Sequence, residues 1–144
     1  MPFHRAHSDL RYSDRVIYSP DVPVFRDDTH ALLQVAYRIS FITAAAPNLQ
    51  AVRRNQPDLV PTVPAAVRAR AERVLAVAAA HGRRRLVLGA WGCGVFGNEP
   101  VVVAEAWSEA LRRVPCFDHV VFAVLDRAPG TPTLRAFTDI LGRG

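Results

Sequence analysis

Apolar and polar residues change period several times along the chain, and each change marks an element. Val16, Ile17 and Tyr18 form a short apolar run, Ser19-Pro20-Asp21 interrupts it, and Val22 to Phe25 resumes in extended form. Prolines here fit an edge position, where a missing N–H removes no ladder bond. A second strand centres on Ile39, Phe41 and Ile42, passes into the small residues Thr43 to Ala46, and stops at Pro47-Asn48. Leu49 to Pro61 is polar and proline-containing and reads as a loop. From Thr62 the period lengthens. Val67, Ala71, Val74, Leu75 and Ala78 recur at helical spacing, with Arg68, Glu72 and Arg73 mostly off that stripe. Thr62 is the expected N-cap, Pro64 falls in the first turn, and Gly82 is the stop.

Leu86-Val87-Leu88 is short and continuously apolar, the pattern of a central parallel strand. Asn98 is placed to cap the next helix, with Glu99 and Pro100 in its first turn and Val103, Trp107, Ala110, Leu111 and Val114 facing inward. His119 to Leu125 reads as a strand. Thr131-Pro132 opens a last helix with Leu134, Phe137 and Leu141 inward and Gly142 as its stop. The order β, β, α, β, α, β, α predicts an α/β layered domain with a largely parallel sheet. Ligands of such sheets bind beyond the carboxyl ends of the strands. The loop after Thr43 and the loop after Leu88 both fall there.

Composition narrows the function. The chain has 144 residues, which suits one domain over 1–144, with 1–11 expected to be a flexible N-terminus. No apolar run approaches the ~20 residues of a membrane span, and MPFHRAHSDL lacks the apolar segment of a signal peptide, so a cytoplasmic location is expected. The net charge is +5, and all 18 basic residues are arginine. Codon usage in a GC-rich genome accounts for much of that arginine. Arg83-Arg84-Arg85 reads as a solvated strand entrance, and no aromatics interleave with it, so nucleic acid is not an expected partner. Cys93 and Cys116 are the two cysteines; no zinc spacing appears, and no metal or cofactor is expected.

The candidate chemistry lies in LVLGAWGCGVFGNEP, Leu86 to Pro100. A strand, a glycine-rich turn and a helix N-terminus together cradle anions, because free N–H groups and the helix dipole converge there. Gly92, Gly94 and Gly97 allow close approach of a diphosphate, and Phe96 is placed to lie on a sugar or base face. No Gly-Lys-Ser/Thr follows, which excludes a Walker A loop. The Gly92-x-Gly94-x-x-Gly97 spacing fits GxGxxG, but the loop does not follow the first strand, and the nearest acidic candidate, Asp118, precedes a strand instead of ending one. A dinucleotide site is therefore disfavoured. A tight strand-to-helix turn without a ligand is the plain alternative.

The motif GAWGCGVFGNEP resembles the diphosphate loop of microbial-type poly(ADP-ribose) glycohydrolases, of the macrodomain superfamily. YSDRVIYSPDVPVFRDD and SFITAAAPN resemble two further signatures of that family, in the same order. The resemblance implies a macrodomain-like three-layer α/β/α fold, mostly parallel, here lacking the N-terminal strands and catalytic segment. It implies ADP-ribose, free or on a protein, as ligand. Gly92, Cys93, Gly94, Val95, Phe96, Gly97 and Asn98 would hold it, with Ala45, Pro47 and Asn48 from the second loop. The family's catalytic Gly-Gly-Gly and Gln-Glu-Glu elements precede the YSDRVIYSP strand, whereas the residues before Tyr12 contain neither glutamate nor glycine. Glycoside cleavage needs a carboxylic acid on the leaving oxygen. Glu72, Glu99, Glu105 and Glu109 all fall on predicted helices, and Asp27-Asp28 are adjacent on extended chain with side chains pointing apart. The chain is thus expected to bind ADP-ribose without hydrolysing it alone. The alternatives are half of a split enzyme, completed by a chain that brings the missing strand, or a binding module or remnant. Cys93 lies near a helix N-terminus that would lower its pKa, yet reads as a small loop residue whose backbone matters.

Overall fold

The computed structural model describes residues 8–142. Strands β1 (Val16–Arg26) and β2 (Leu32–Ala44) pair antiparallel, from Val16 opposite Ala44 to Arg26 opposite Leu32. The expected break at Ser19-Pro20-Asp21 is a register shift inside one continuous strand, with Asp21 at φ 49°. A bulge of this kind absorbs the proline without ending the pairing. Strands β3 (Arg85–Gly89) and β4 (His119–Ala123) pair parallel, Leu86 opposite Val120 and Leu88 opposite Phe122. The sheet is therefore divided into an antiparallel pair and a parallel pair, and β2 and β3 are not hydrogen-bonded neighbours.

Leu49 to Pro61 is not a loop. It forms helix α1 (Leu49–Asn55) and a 3-10 turn from Pro57 to Thr62. The Asn48 side chain caps α1 by accepting from Ala51 N at 3.0 Å, and Leu49 and Val52 are buried. Helix α2 (Val63–Ala80) buries the expected stripe of Val67, Ala71, Val74, Leu75 and Ala78. The Thr62 side chain makes no cap bond to α2; its hydroxyl donates to Leu59 O instead. At the other end Gly82 takes φ 66° and Arg83 N donates to Ala78 O, closing the helix.

Helix α3 (Pro100–Arg113) buries Val103, Ala104, Ala106, Trp107 and Ala110. Its cap position is Glu99, not Asn98. Helix α4 (Pro132–Leu141) sets Phe137 against Phe122, ring centroids 5.7 Å apart. The Asp126 carboxylate accepts from Thr133 N at 2.7 Å and Leu134 N at 3.2 Å at the start of α4. The backbone bond from Ala128 N, and then those from Leu134 N and Thr133 N, hold its pKa below the ordinary value.

The core lies between the helices and the inward residues of the strands, among them Ile42, Ala44, Leu86 and Leu88. On the opposite face Val87 is 74% exposed and Phe41 43%. Among the described residues the helices cover the core face of the strands. A parallel pair is normally covered on both faces. Of the expected flexible N-terminus, residues 1–7 lie outside the described residues. Leu10 N donates to Gln56 Oε1 at 2.9 Å, and Arg11 Nη1 to Thr62 Oγ1 at 2.9 Å.

Candidate functional site

The glycine loop leaves β3 at Gly89 and reaches α3 at Pro100. Its bends are fixed by backbone bonds: Trp91 N to Gly89 O, Cys93 N to Ala90 O, Gly97 N to Gly94 O, and Asn98 N to Gly92 O. Gly92 and Gly97 take φ 76° and 67°, where a side chain is strained. A Cβ on Gly92 would also collide with the Asn98 amide and stand 2.7 Å from Ala46 Cβ. One on Gly97 would stand 2.7 Å from Gln50 Cγ. Gly94 differs: its φ is not positive and a Cβ there meets nothing within 4 Å.

The loop after β2 is brought against it by four links. Asn98 Nδ2 donates to Pro47 O at 2.9 Å and Gln50 N to Phe96 O at 3.0 Å. Trp91 Nε1 donates to Ala44 O at 3.2 Å, and Ala46 packs on Gly92. So Ala45, Pro47 and Asn48 share one end of the strands with Gly92 to Asn98. Asn48 spends its side chain on the α1 cap. Asn98 is 3% exposed, and its Oδ1 has no donor among the described residues.

Three consecutive amides of the loop, those of Gly94, Val95 and Phe96, donate to no acceptor among the described residues. Gly94 and Val95 are exposed. Successive free N–H groups next to a helix N-terminus make an anion-binding concavity. The α3 terminus adds the orphan donors of its first turn.

Two residues at this end went unseen in the sequence. Tyr12, at φ 63°, sets its ring against Phe96, centroids 6.4 Å apart. Arg70 is 1% exposed, and its guanidinium donates to Ala45 O at 2.5 Å, Tyr12 O at 3.2 Å and Asp14 Oδ1 at 3.2 Å. Burial pulls Arg70 below its ordinary pKa, and Asp14 opposes that shift. One arginine thus ties the N-terminal segment and the second loop to α2.

Cys93 is no activated nucleophile. Burial, then the Glu99 charge, pushes its thiol up to about 11. Two of the histidines are far from it: His119 begins β4 opposite Arg85, at the end of β3 away from the loop, and His30 sits in the β1–β2 turn. Each glutamate has an arginine partner: Glu72 with Arg113, Glu99 with Arg53, and Glu105 and Glu109 with Arg68. Asp27 accepts from Thr29 Oγ1 at 2.7 Å, Thr29 N at 2.8 Å and Ala31 N at 3.0 Å, so it closes a turn, and these bonds hold its pKa down. Among the described residues no group of histidine, cysteine or carboxylate side chains could hold a metal ion, and no helix is long and apolar enough to cross a membrane.

A parallel strand, a glycine loop and a helix N-terminus on an α/β scaffold define a protein of macrodomain-like fold. Solved proteins of that fold superpose closely. Poly(ADP-ribose) glycohydrolase from Deinococcus radiodurans, in complex with ADP-ribose, matches with TM-score 0.91 and 48% identity over 96% of this chain and 57% of that one. The glycohydrolase from Thermomonospora curvata matches with TM-score 0.87 and 48% identity over 97% of this chain and 52% of that one. Residues 1–27 match the family model for the catalytic domain of microbial-type poly(ADP-ribose) glycohydrolase. The chain belongs to the microbial-type poly(ADP-ribose) glycohydrolase family. It spans little more than half the length of these solved members. No curated protein matches it.

Proposed function

We propose that Gly92 to Asn98, with Ala45, Pro47 and Asn48 beside them, bind the diphosphate and distal ribose of ADP-ribose. The observation that carries this reading is the run of unpartnered amides at Gly94, Val95 and Phe96 beside the α3 terminus. A diphosphate satisfies such donors, and the helix dipole favours its charge. The relative from D. radiodurans, 48% identical, was crystallised with ADP-ribose. Phe96, held by Tyr12 and by the bond from Gln50, presses on the ribose.

The chain binds and does not hydrolyse by itself. Cleavage of a ribose–ribose bond needs a protonated carboxyl group on the leaving oxygen. The glutamates are spent in ion pairs on the helices, and Asp27 and Asp126 stay ionised in backbone hydrogen bonds. The divided sheet favours a second statement: a complementing polypeptide brings both the acid and a strand. ADP-ribose, free or attached to protein, is the ligand, and nucleic acid and membranes are not partners.

Gly94→Val tests the site. The valine meets no protein atom near its Cβ, so the chain stays folded, while its side chain fills the space given to the diphosphate. Calorimetric titration with ADP-ribose should show binding to the parent chain and a loss of at least ~100-fold in the variant, ~2.7 kcal/mol. Equal affinity in the two removes the loop from the account.

A further inference from the structure

Arg70 is buried on α2 beside the apolar stripe. Taking a guanidinium out of water is costly, and only well-made hydrogen bonds offset it. Its rigid fork of donors meets acceptors from two other segments. Nη1 donates to Ala45 O in the loop after β2, Nη2 to Tyr12 O, and Nε to Asp14 Oδ1.

The residues from Ser8 to Asp14 form a strap tied to α1, α2 and the 3-10 turn. Gln56 clamps one end: its Nε2 donates to Ser8 O at 2.8 Å and its Oε1 accepts from Leu10 N. Asn48 N donates to Leu10 O at 3.1 Å. Arg70 clamps the other end. Between the clamps Tyr12 takes its left-handed φ of 63°. A non-glycine residue keeps such backbone only where its surroundings enforce it, and these residues gather at active sites and ligand clamps. The ring carried by that strained residue is the one that lies against Phe96, at an interplanar angle of 47°.

The backbone and the ring of Phe96 are held by different parts of the protein. Phe96 O accepts from Gln50 N, while Gly97 N and Asn98 N close the loop on Gly94 O and Gly92 O. No atom of the strap enters these bonds. The second loop likewise keeps the bonds from Trp91 to Ala44 O and from Asn98 to Pro47 O if Arg70 is lost. The Phe96 ring, by contrast, leans on Tyr12. We propose that Arg70 is a positioning residue for the distal ribose: it fixes Tyr12, Tyr12 fixes the Phe96 ring, and the diphosphate cradle stands without either. The inference rests on the ADP-ribose reading above and adds selectivity to it. Loss of the Arg70 guanidinium or the Tyr12 ring weakens a ligand that carries the distal ribose and spares one that ends at the diphosphate.

The full 144-residue chain, Arg70→Met and Tyr12→Leu are each titrated calorimetrically with ADP-ribose and with ADP, which lacks the distal ribose. Both variants should bind ADP-ribose at least ~5-fold more weakly, the scale of one lost aromatic contact, and ADP within ~2-fold of the parent. Tyr12→Leu keeps the backbone carbonyl that Arg70 holds, so it decides the matter if Arg70→Met does not fold. In the free proteins, nuclear Overhauser contacts between the Tyr12 and Phe96 rings should be present in the parent and lost in Arg70→Met. Equal weakening of both ligands would show a merely structural role and overturn the proposal. So would unchanged ADP-ribose affinity, or rings that stay in contact without the guanidinium. A parent chain that takes up neither ligand sinks the reading of the glycine loop and this inference with it, whereas a parent that binds and variants that match it sink this inference alone.

Discussion

Gly92 and Gly94 stand two residues apart in one loop, and the same substitution at each should act in opposite ways. At Gly92 an added methyl group meets the Asn98 amide and the Ala46 methyl, on a backbone at φ 76°. Left-handed backbone costs a non-glycine residue about 1–2 kcal/mol. Overpacking a fitted contact costs about 1–3 kcal/mol more. The Asn98 amide cannot retreat without giving up its bond to Pro47 O, which joins the two loops of the site. At Gly94 the methyl meets nothing, the φ is not positive, and the smaller entropy of the unfolded chain stabilises by about 0.4–1 kcal/mol. Gly92→Ala should therefore be less stable than Gly94→Ala by at least about 2 kcal/mol, roughly 4–8 °C in midpoint for a chain of this length. Urea and thermal unfolding of the two variants, followed by circular dichroism, measure the difference. Equal midpoints would refute the geometry of the loop, since they require Gly92 to have room the structure denies it.

Arg70→Met leaves Ala45 O and Tyr12 O without their donor; charged hydrogen bonds of this kind contribute about 1.5–3 kcal/mol each, set against relief of a buried charge, so a net loss of about 2–4 kcal/mol is expected. A loss below about 1 kcal/mol in urea unfolding would show that Arg70 does not hold the N-terminal segment. Cys93, with its thiol pushed up to about 11 from 9.0, should alkylate at pH 8 about 100-fold more slowly than an unperturbed cysteine, read by site-resolved mass spectrometry. The same shift makes the chain lose stability as pH rises from 9.0 through about 11, because the folded state holds the proton more tightly. Asp126→Ala should lower the thermal midpoint at neutral pH by uncapping α4. Asp126 is held below its ordinary value, so its contribution is present above 3.8 and lost as pH falls further, and the gap between variant and parent should close there. A gap that persists in acid would assign the effect to something other than the carboxylate.

The glycine loop and the strands and helices around it were legible because each carries a local signal. Gly82 stops α2 as its position implies, and the apolar stripe of α2 is buried as its spacing implies. Helix α1 was not legible. Its seven residues are too few to announce a period, and it is held by the Asn48 cap and by burial of Leu49 and Val52 against distant elements. The burial of Arg70 was hidden for a related reason. An arginine at the margin of an apolar stripe reads as solvated, and only the fold brings Ala45, Tyr12 and Asp14 to its guanidinium. Asn98 carries a capping residue's signal yet turns its amide to Pro47, a contact 51 residues away in sequence that no local pattern encodes. The division of the sheet follows from pairing between distant segments, which no local motif encodes.

The central claim is that the free amides of the glycine loop take up a diphosphate. Its most direct test is a nuclear magnetic resonance titration of the isotopically labelled chain with ADP-ribose. Saturable shifts centred on the amides of Gly94, Val95 and Phe96 are expected, with smaller ones at Ala45 and Asn98. A dispersed spectrum of a folded chain in which those three amides do not move would contradict it.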